Sequence, residues 1–324
     1  MRVLVAGGAG YVGSKLVPAL LNREYEVTVL DLYLYGDSIF TPHARLKEVK
    51  GDIRDPGKVQ EALEGCDYVI HLACISNDPS FELNPELGKS INYDAFEPFV
   101  LLAKKNKIRR FIYASSSSVY GVKEENDVTE EMSLEPLTDY SKYKALCEKV
   151  LLRHLDPSFI CTILRPATVC GYAPRQRLDV VVNILTNHAY HNKKIKIMGG
   201  DQMRPNIHID DMVDAYIHVL EQPEEKIQGE IFNVGYHNHT VSEIGNIVAQ
   251  VVGDCEVEMV PTNDNRSYHV SSKKIAEKLQ FVPLRSLEDA VQSLLDAFHA
   301  GKLPNSFNDK RYFNIQTMKE INLK

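Results

Sequence analysis

Six short strand-like runs, separated by stretches with a helical period, constrain this chain more than any other feature. RVLVAG (2 to 7), EVTVLD (26 to 31), LKEVKGD (46 to 52), YVIHLA (68 to 73), RFIYASS (110 to 116) and ICTILRPA (160 to 167) show little polar alternation. Strands buried on both faces read that way, because neither face has to answer to water. Between them lie stretches such as GSKLVPALLNR and DAFEPFVLLAKKN, apolar at helical spacing. This order predicts an α/β fold, a doubly wound parallel sheet with helices on both faces and right-handed crossovers. Ligands of such sheets bind beyond the carboxyl ends of the strands. Pro18 and Pro98 fall inside two of the helices and are expected to cost or kink them.

After about residue 170 the pattern loosens. GYAPRQRLDVVVNILTNHAY begins as a loop and becomes a helix, KIKIMGG suggests a hairpin strand, and IFNVG (231 to 235) reads as a further buried strand. Helical stretches follow at Val241 to Val252 and Leu287 to His299, on either side of the strand-like EVEMVP (256 to 261). At 324 residues the chain is long enough for two lobes. The expected division is residues 1–170, with 231–235 returning a strand to the main sheet, and a smaller mixed α/β lobe over 171–324. The final YFNIQTMKEINLK has no clear period and reads as a docked or frayed tail.

Composition excludes several classes. With 37 Lys and Arg against 44 Asp and Glu, the net charge is −7, the wrong sign for a protein that grips nucleic acid. No stretch supplies the roughly 18 apolar residues of a membrane span, and MRVLVAGGAG is too short before its glycines to be a signal peptide, so a cytoplasmic address is expected. The six cysteines are scattered without metal-ligand spacing, which predicts reduced thiols and no metal site.

VAGGAGYVG lies between the first strand and the first helix, with Gly7, Gly10 and Gly13 spaced to turn tightly against a pyrophosphate at a helix N-terminus. Tyr11 and Val12 belong to the same loop. Asp31 ends the second strand at the distance expected of a carboxylate on the adenosine ribose, the signature of a Rossmann-type dinucleotide site. The bland alternative is a glycine-rich turn with an incidental aspartate. Asp31 would repel a 2′-phosphate, and DLYLYG (31 to 36) holds no cation, so NAD is expected over NADP. Asp52 and Ile53, in GDIRD, fall where an adenine edge would sit.

ASSSSVYG ends the fifth strand, so its hydroxyls emerge at the same sheet edge as the glycine loop. In TDYSKYK, Tyr140 and Lys144 share one helix face, and by itself such a pair is usually a surface contact. Joined to a dinucleotide site and a serine, it implies proton transfer: Tyr140 as phenolate takes a sugar hydroxyl proton while hydride leaves for nicotinamide. For that the phenol must titrate well below its usual value of about 10, helped by Lys144 and the nicotinamide charge. Ser116 would hydrogen-bond the reacting oxygen, and Lys144 would hold the nicotinamide ribose.

These motifs, with HLA (71 to 73), SINYDAF around Asn92 and RPNIHIDD (204 to 211), make the chain resemble the extended short-chain dehydrogenase/reductases, in particular the nucleotide-sugar epimerase and dehydratase family. The likeness is to UDP-glucose 4-epimerases and extends to a branch with GDP-heptose C4 dehydrogenases, through APRQRLDVVVN. It implies Ser116, Tyr140 and Lys144 as the catalytic set and adds Leu72 and Ala73 to the cofactor site. It implies a nucleotide-diphosphate sugar as substrate, with Arg204 and Arg266 on the diphosphate, Arg175 at the start of the substrate loop, and Thr168 where galactose-type epimerases carry asparagine. Ser117 and Ser118 stand where the 4,6-dehydratases carry an Asp-Glu pair, which disfavours dehydration. The resemblance also implies a homodimer formed through two helices.

Three functions compete. The first is an NAD-dependent epimerase acting at C4 through a transient keto sugar. The second is a C4 dehydrogenase or 4-ketoreductase with net redox turnover on the same residues. The third, a non-catalytic dinucleotide sensor, would be marked by a broken Tyr/Lys pair, and this pair is intact.

Overall fold

The computed structural model describes residues 1–76, 78–123, 125, 127–262, 267 and 269–321. Its main sheet is built from β1 (Arg2–Ala6), β2 (Glu26–Asp31), β3 (Leu46–Lys50), β4 (Tyr68–His71), β5 (Arg110–Ala114) and β6 (Ile160–Pro166). After β7 (Thr168–Cys170), β8 (Lys194–Met198) and β9 (Met203–His208), the chain adds β10 (Ile231–Val234) to the same sheet. The seven strands run in the order β10-β6-β5-β4-β1-β2-β3, and every pairing is parallel. The order reverses between β1 and β4, so the connections from their carboxyl ends diverge and leave a crevice.

Side chains along β1 sort alternately. Val3 and Val5 join a core with Leu16, Val17, Leu20, Tyr216 and Leu220 on one face, while Leu4 and Ala6 join Ala62, Phe99, Val100 and Leu151 on the other. Both faces are covered by helices, which is why the strands lack polar alternation. Pro18 sits within the Gly13–Asn22 helix, where it forfeits one backbone bond, yet the helix continues past it. Pro98 lies in the first turn of Phe96–Lys105, where an N–H has no intrahelical partner to lose. Neither proline breaks its helix.

Two small sheets complete the structure. β9 lies between β7 and β11 (His237–Thr240), parallel to the first and antiparallel to the second. β8, expected to form a hairpin, instead pairs in parallel with β12 (Glu256–Val260). Gly199 and Gly200, both at positive φ, turn the chain out of β8 and into another sheet, so its partner comes from much later in the chain. Among the described residues no helix is long and apolar enough to cross a membrane.

A buried ion pair fixes the helix Asp139–Arg153 against the sheet. Arg165 on β6 donates from Nε and Nη2 to the two oxygens of Glu148, at 3.0 and 2.7 Å, and both side chains are 3% exposed. The remaining bonds are satisfied: Arg165 also donates to the Tyr120 hydroxyl at 2.7 Å, that hydroxyl donates to Asn233 on β10, and Ser115 donates to Glu148. Removing one partner leaves the other charged, buried and uncompensated. Arg165→Met is therefore expected to lower unfolding free energy by about 3 to 5 kcal/mol, measured by urea denaturation; a loss within error would mean the pair carries no net burden of the fold.

Candidate active site

The crevice widens into a cavity of about 480 Å³ that runs from the glycine loop across the ends of β4, β5 and β6. Gly7 has φ +79°, and a Cβ there would lie 2.5 Å from the Ala73 backbone nitrogen, so the turn closes only around glycine. A Cβ on Gly13 would lie 2.2 Å from the Gly8 carbonyl oxygen, where loop and helix meet. The helix beginning at Gly13 has no side-chain cap and no acid in its first turn; the Ser14 and Lys15 N–H groups bond the Gly10 and Val12 carbonyls, and the partial positive charge of the helix start is left for an anion. Gly10, Tyr11 and Val12 line the same opening.

Asp31 accepts hydrogen bonds from the backbone N–H of Ala9 (2.9 Å) and Tyr33 (2.8 Å). Burial pushes its carboxyl above the ordinary value, against those bonds and the charge of Arg175. Asp52, Ile53, Leu72 and Ala73 line the cavity as well. Burial acts to raise the Asp52 carboxyl, but the bonds from Arg54, at 2.6 to 3.1 Å, hold it below its usual range. Asn92 fixes the segment after β4 by accepting from the Ile75 N–H (2.8 Å) and donating to its carbonyl (3.0 Å).

Thr138 caps the helix Asp139–Arg153, which brings Tyr140 and Lys144 to the tip of β5. Lys144 is 3% exposed and donates to the Ala114 carbonyl at 2.6 Å, with its ammonium 5.0 Å from the Tyr113 ring centre and 5.8 Å from that of Tyr140. Tyr143 turns away and packs against Tyr93 and Phe81. A chain of hydroxyls continues from Ser116 to Ser118 (2.8 Å), Ser141 (2.8 Å) and Thr138 (3.0 Å), ending on the Asp78 carboxylate at 2.5 Å.

The phenol departs from the expectation drawn from sequence. Burial, with Cys74 and Asp78 nearby, pushes Tyr140 well above its ordinary value, while the Arg177 charge and a hydrogen bond with Ser116 act the other way without prevailing. The polypeptide's own groups thus keep Tyr140 neutral, and a lowered value requires charge brought by a ligand. His71 is a buried neutral base: burial and then the Lys144 charge push it down to about 3, and it packs among Phe96, Phe99, Phe111 and Tyr113.

Of the residues expected to meet substrate, Ser116, Thr168 and Arg175 line the cavity. Arg204 is outside that lining; it lies on β9 and donates to the Met203 carbonyl at 2.9 Å. Arg266 lies outside the described residues. Arg177, expected with Arg175 where the substrate loop begins, also lines the cavity, and the structure adds Asp179 and Asn314 to the wall. Arg177 and Asp179 pair at 2.8 Å, a contact visible in the sequence only as two charges in a loop, and Asn314 gave no local signal at all.

A family model, the NAD dependent epimerase/dehydratase family, matches residues 3–235. The chain belongs to this family. A UDP-glucose 4-epimerase from Lactobacillus helveticus is 28% identical over 96% of this chain and 100% of its own length. Among solved structures, the dTDP-glucose 4,6-dehydratase DesIV from Streptomyces venezuelae, with NAD bound, superposes with a TM-score of 0.83 at 26% identity, covering 92% of this chain and 97% of that one. The UDP-glucose 4-epimerase of Thermotoga maritima, with UDP-glucose, has the same fold, with a TM-score of 0.83 at 24% identity over 93% and 99% of the two chains. The protein is therefore an NAD-dependent enzyme acting on nucleotide sugars. The residues present fit the cofactor: two positions that admit only glycine, an uncapped helix start and a carboxylate at the end of β2.

The electrostatics give a titration test. In nucleotide-free protein Tyr140 should contribute nothing to tyrosinate absorbance below about pH 10, its ordinary value, so wild type and Tyr140→Phe should titrate alike there. Adding NAD should introduce a difference between them at lower pH, and coincident curves with NAD present would contradict the charge argument.

Proposed function

We propose that the enzyme is a nucleotide-sugar epimerase acting at C4, with Tyr140 as acid and base. The observation that supports this most is the convergence of Ser116, Tyr140 and Lys144 on the cavity opened by the glycine loop. Bound NAD supplies a hydride acceptor for C4 and a donor to the opposite face of the keto sugar. Tyr140 removes the hydroxyl proton and returns it, Ser116 hydrogen-bonds the reacting oxygen, and Lys144 holds the nicotinamide ribose. Gly7, Gly10, Gly13 and Asp31 hold the pyrophosphate and the adenosine ribose. Ser117 and Ser118, the residues after Ser116, bring hydroxyls rather than carboxylates, which favours epimerisation over loss of water.

Residues 171–324 mainly supply the nucleotide-sugar side in this reading, with Thr168 near the sugar and Arg204 and Arg266 on the diphosphate. Arg177, whose Nη2 is buried without a hydrogen-bond partner among the described residues, is a further donor for an anionic substrate. The second reading, a C4 dehydrogenase or 4-ketoreductase, is favoured by the stretch resembling the GDP-heptose enzymes, because Arg175, Arg177, Asp179 and Val180 of that stretch form one cavity wall. We also propose a homodimer joined through helices Phe96–Lys105 and Asp139–Arg153; Leu101, 52% exposed, lies on the first of them.

Incubation with UDP-, dTDP- and GDP-hexoses, followed by NMR and by absorbance of the reduced cofactor, separates the two activities. A C4 epimer formed with no net NADH supports the first, and stoichiometric NADH would sink it. Tyr140→Phe should cut turnover by about 10²- to 10⁴-fold while leaving NAD affinity near that of the wild type; full activity in this variant would remove Tyr140 from the mechanism.

A further inference from the structure

Arg175 is a buried cation whose nearby acids, Asp31 and Asp179, stand outside ion-pair distance. It is 4% exposed, and among the described residues it has no ion-pair partner. Its neighbour Arg177 takes Asp179, at 2.8 Å. Its direct contacts are neutral: its Nη2 donates to the Asn314 Oδ1 at 2.5 Å, its guanidinium lies 3.5 Å from the Tyr35 ring centre, and its Nε is buried with no partner among the described residues. Burial pushes the guanidinium down to about 10, with the Arg177 charge adding to the effect and Tyr35, Asp179 and Asp31 opposing it without prevailing. A buried charge left in this state is costly unless an anion completes it.

Position identifies the anion. The Arg175 backbone N–H donates to the Ser14 hydroxyl at 3.2 Å, at the start of the uncapped helix behind the glycine loop. Arg175, Tyr35, Asp31 and Asn314 line one cavity with Gly10 and Gly13. Ser116 and Tyr140, on the sugar side of the same cavity in this reading, come instead from the end of β5 and from the helix Asp139–Arg153. We infer that Arg175, held by Asn314, binds the phosphates of the dinucleotide, so that the helix Asn314–Ile321 forms part of the cofactor site. This inference rests on the NAD assignment and moves Arg175 from the sugar to the cofactor.

Asn314 is well placed to hold it. It is 2% exposed, donates from Nδ2 to Ser76 beyond β4 at 2.8 Å, and donates from its backbone N–H to Asp179 at 2.9 Å. One side chain therefore ties Arg175 to both walls of the crevice, and Met318 from the next turn lines the cavity beside it.

The test is calorimetric titration of the full chain, freed of nucleotide, with ADP and separately with adenosine. Wild type must bind ADP, and failure there would refute the NAD assignment itself rather than the role of Arg175. Arg175→Met should weaken ADP by about 10- to 100-fold, the value of a charged hydrogen-bonded contact, and change adenosine by less than about 3-fold on the same scale. Equal affinity for ADP, or equal losses for both ligands, overturns the inference, the latter meaning that Arg175 only supports Tyr35. Circular dichroism checks folding. If Arg175→Met does not fold, Asn314→Ala decides by the same comparison: a selective loss of ADP affinity and faster loss of NAD on gel filtration support the clasp, and unchanged values refute it.

Discussion

The pair between Glu148 and Arg165 is the contact on which the placement of Tyr140 and Lys144 depends. Glu148 lies one helical turn beyond Lys144, and Arg165 stands on the strand beside β5. Their bidentate contact sets how far the helix can slide along the sheet and how it is rotated, since two parallel bonds from a planar fork tolerate little of either. Lys144 then meets the Ala114 carbonyl at the tip of β5, and Tyr140, on the same helix face, is presented to the cleft. Apolar packing along Cys147, Val150 and Leu151 supplies burial, but packing alone tolerates small shifts that would misplace a reacting hydroxyl.

Deep burial has a second consequence. The same low-dielectric setting that sharpens any charge placed in the cleft makes a bare phenolate costly, and the polypeptide leaves Tyr140 neutral. The ammonium of Lys144 is held by a carbonyl rather than a carboxylate, so its charge is not cancelled. Arg177, by contrast, is paired with Asp179. Acid and base behaviour in this cleft is therefore coupled to what occupies it: a cationic ring near the phenol changes its proton affinity, and departure of that ring restores a neutral side chain. His71 is held neutral by burial in an aromatic cage.

Much of this was legible in the sequence where one local segment decides the outcome. The strands of the main sheet end within a few residues of the expected limits, since continuous apolar runs between helices allow few other arrangements. The glycine loop was readable for a steric reason, as Gly7 and Gly13 leave no room for a Cβ. Pairings between distant segments were not. β8 looks like half of a hairpin and β12 like a lone strand, and the turn at Gly199 and Gly200 leaves β8 to pair with β12 in parallel. The stretch DLYLYG (31 to 36) holds no cation of its own, yet Arg175 stacks on its Tyr35 from far along the chain. Asn314 lies in a tail with no period, so nothing local marked it, and its importance rests on three partners, Arg175 and Asp179 from one late segment and Ser76 from beyond β4.

The junction between the early and late parts of the chain follows from the same long-range bonds. Tyr11, in the glycine loop, donates to the Gly171 carbonyl at 2.5 Å, and Asn183 donates to the Tyr11 hydroxyl at 3.0 Å. Asn183 also accepts from the Gly171 N–H at 2.9 Å, and Gly171 has φ +104°, a backbone state that favours glycine. Thus the glycine loop is hydrogen-bonded to the segment leading into Arg175 and Arg177. Movement of that segment would break buried bonds at Tyr11, a cost on the order of 1 to 3 kcal/mol for each group left unsatisfied. The geometry of the glycine loop and that of the late arginine wall are consequently one structural variable, and an account of either cofactor or sugar binding has to treat them together.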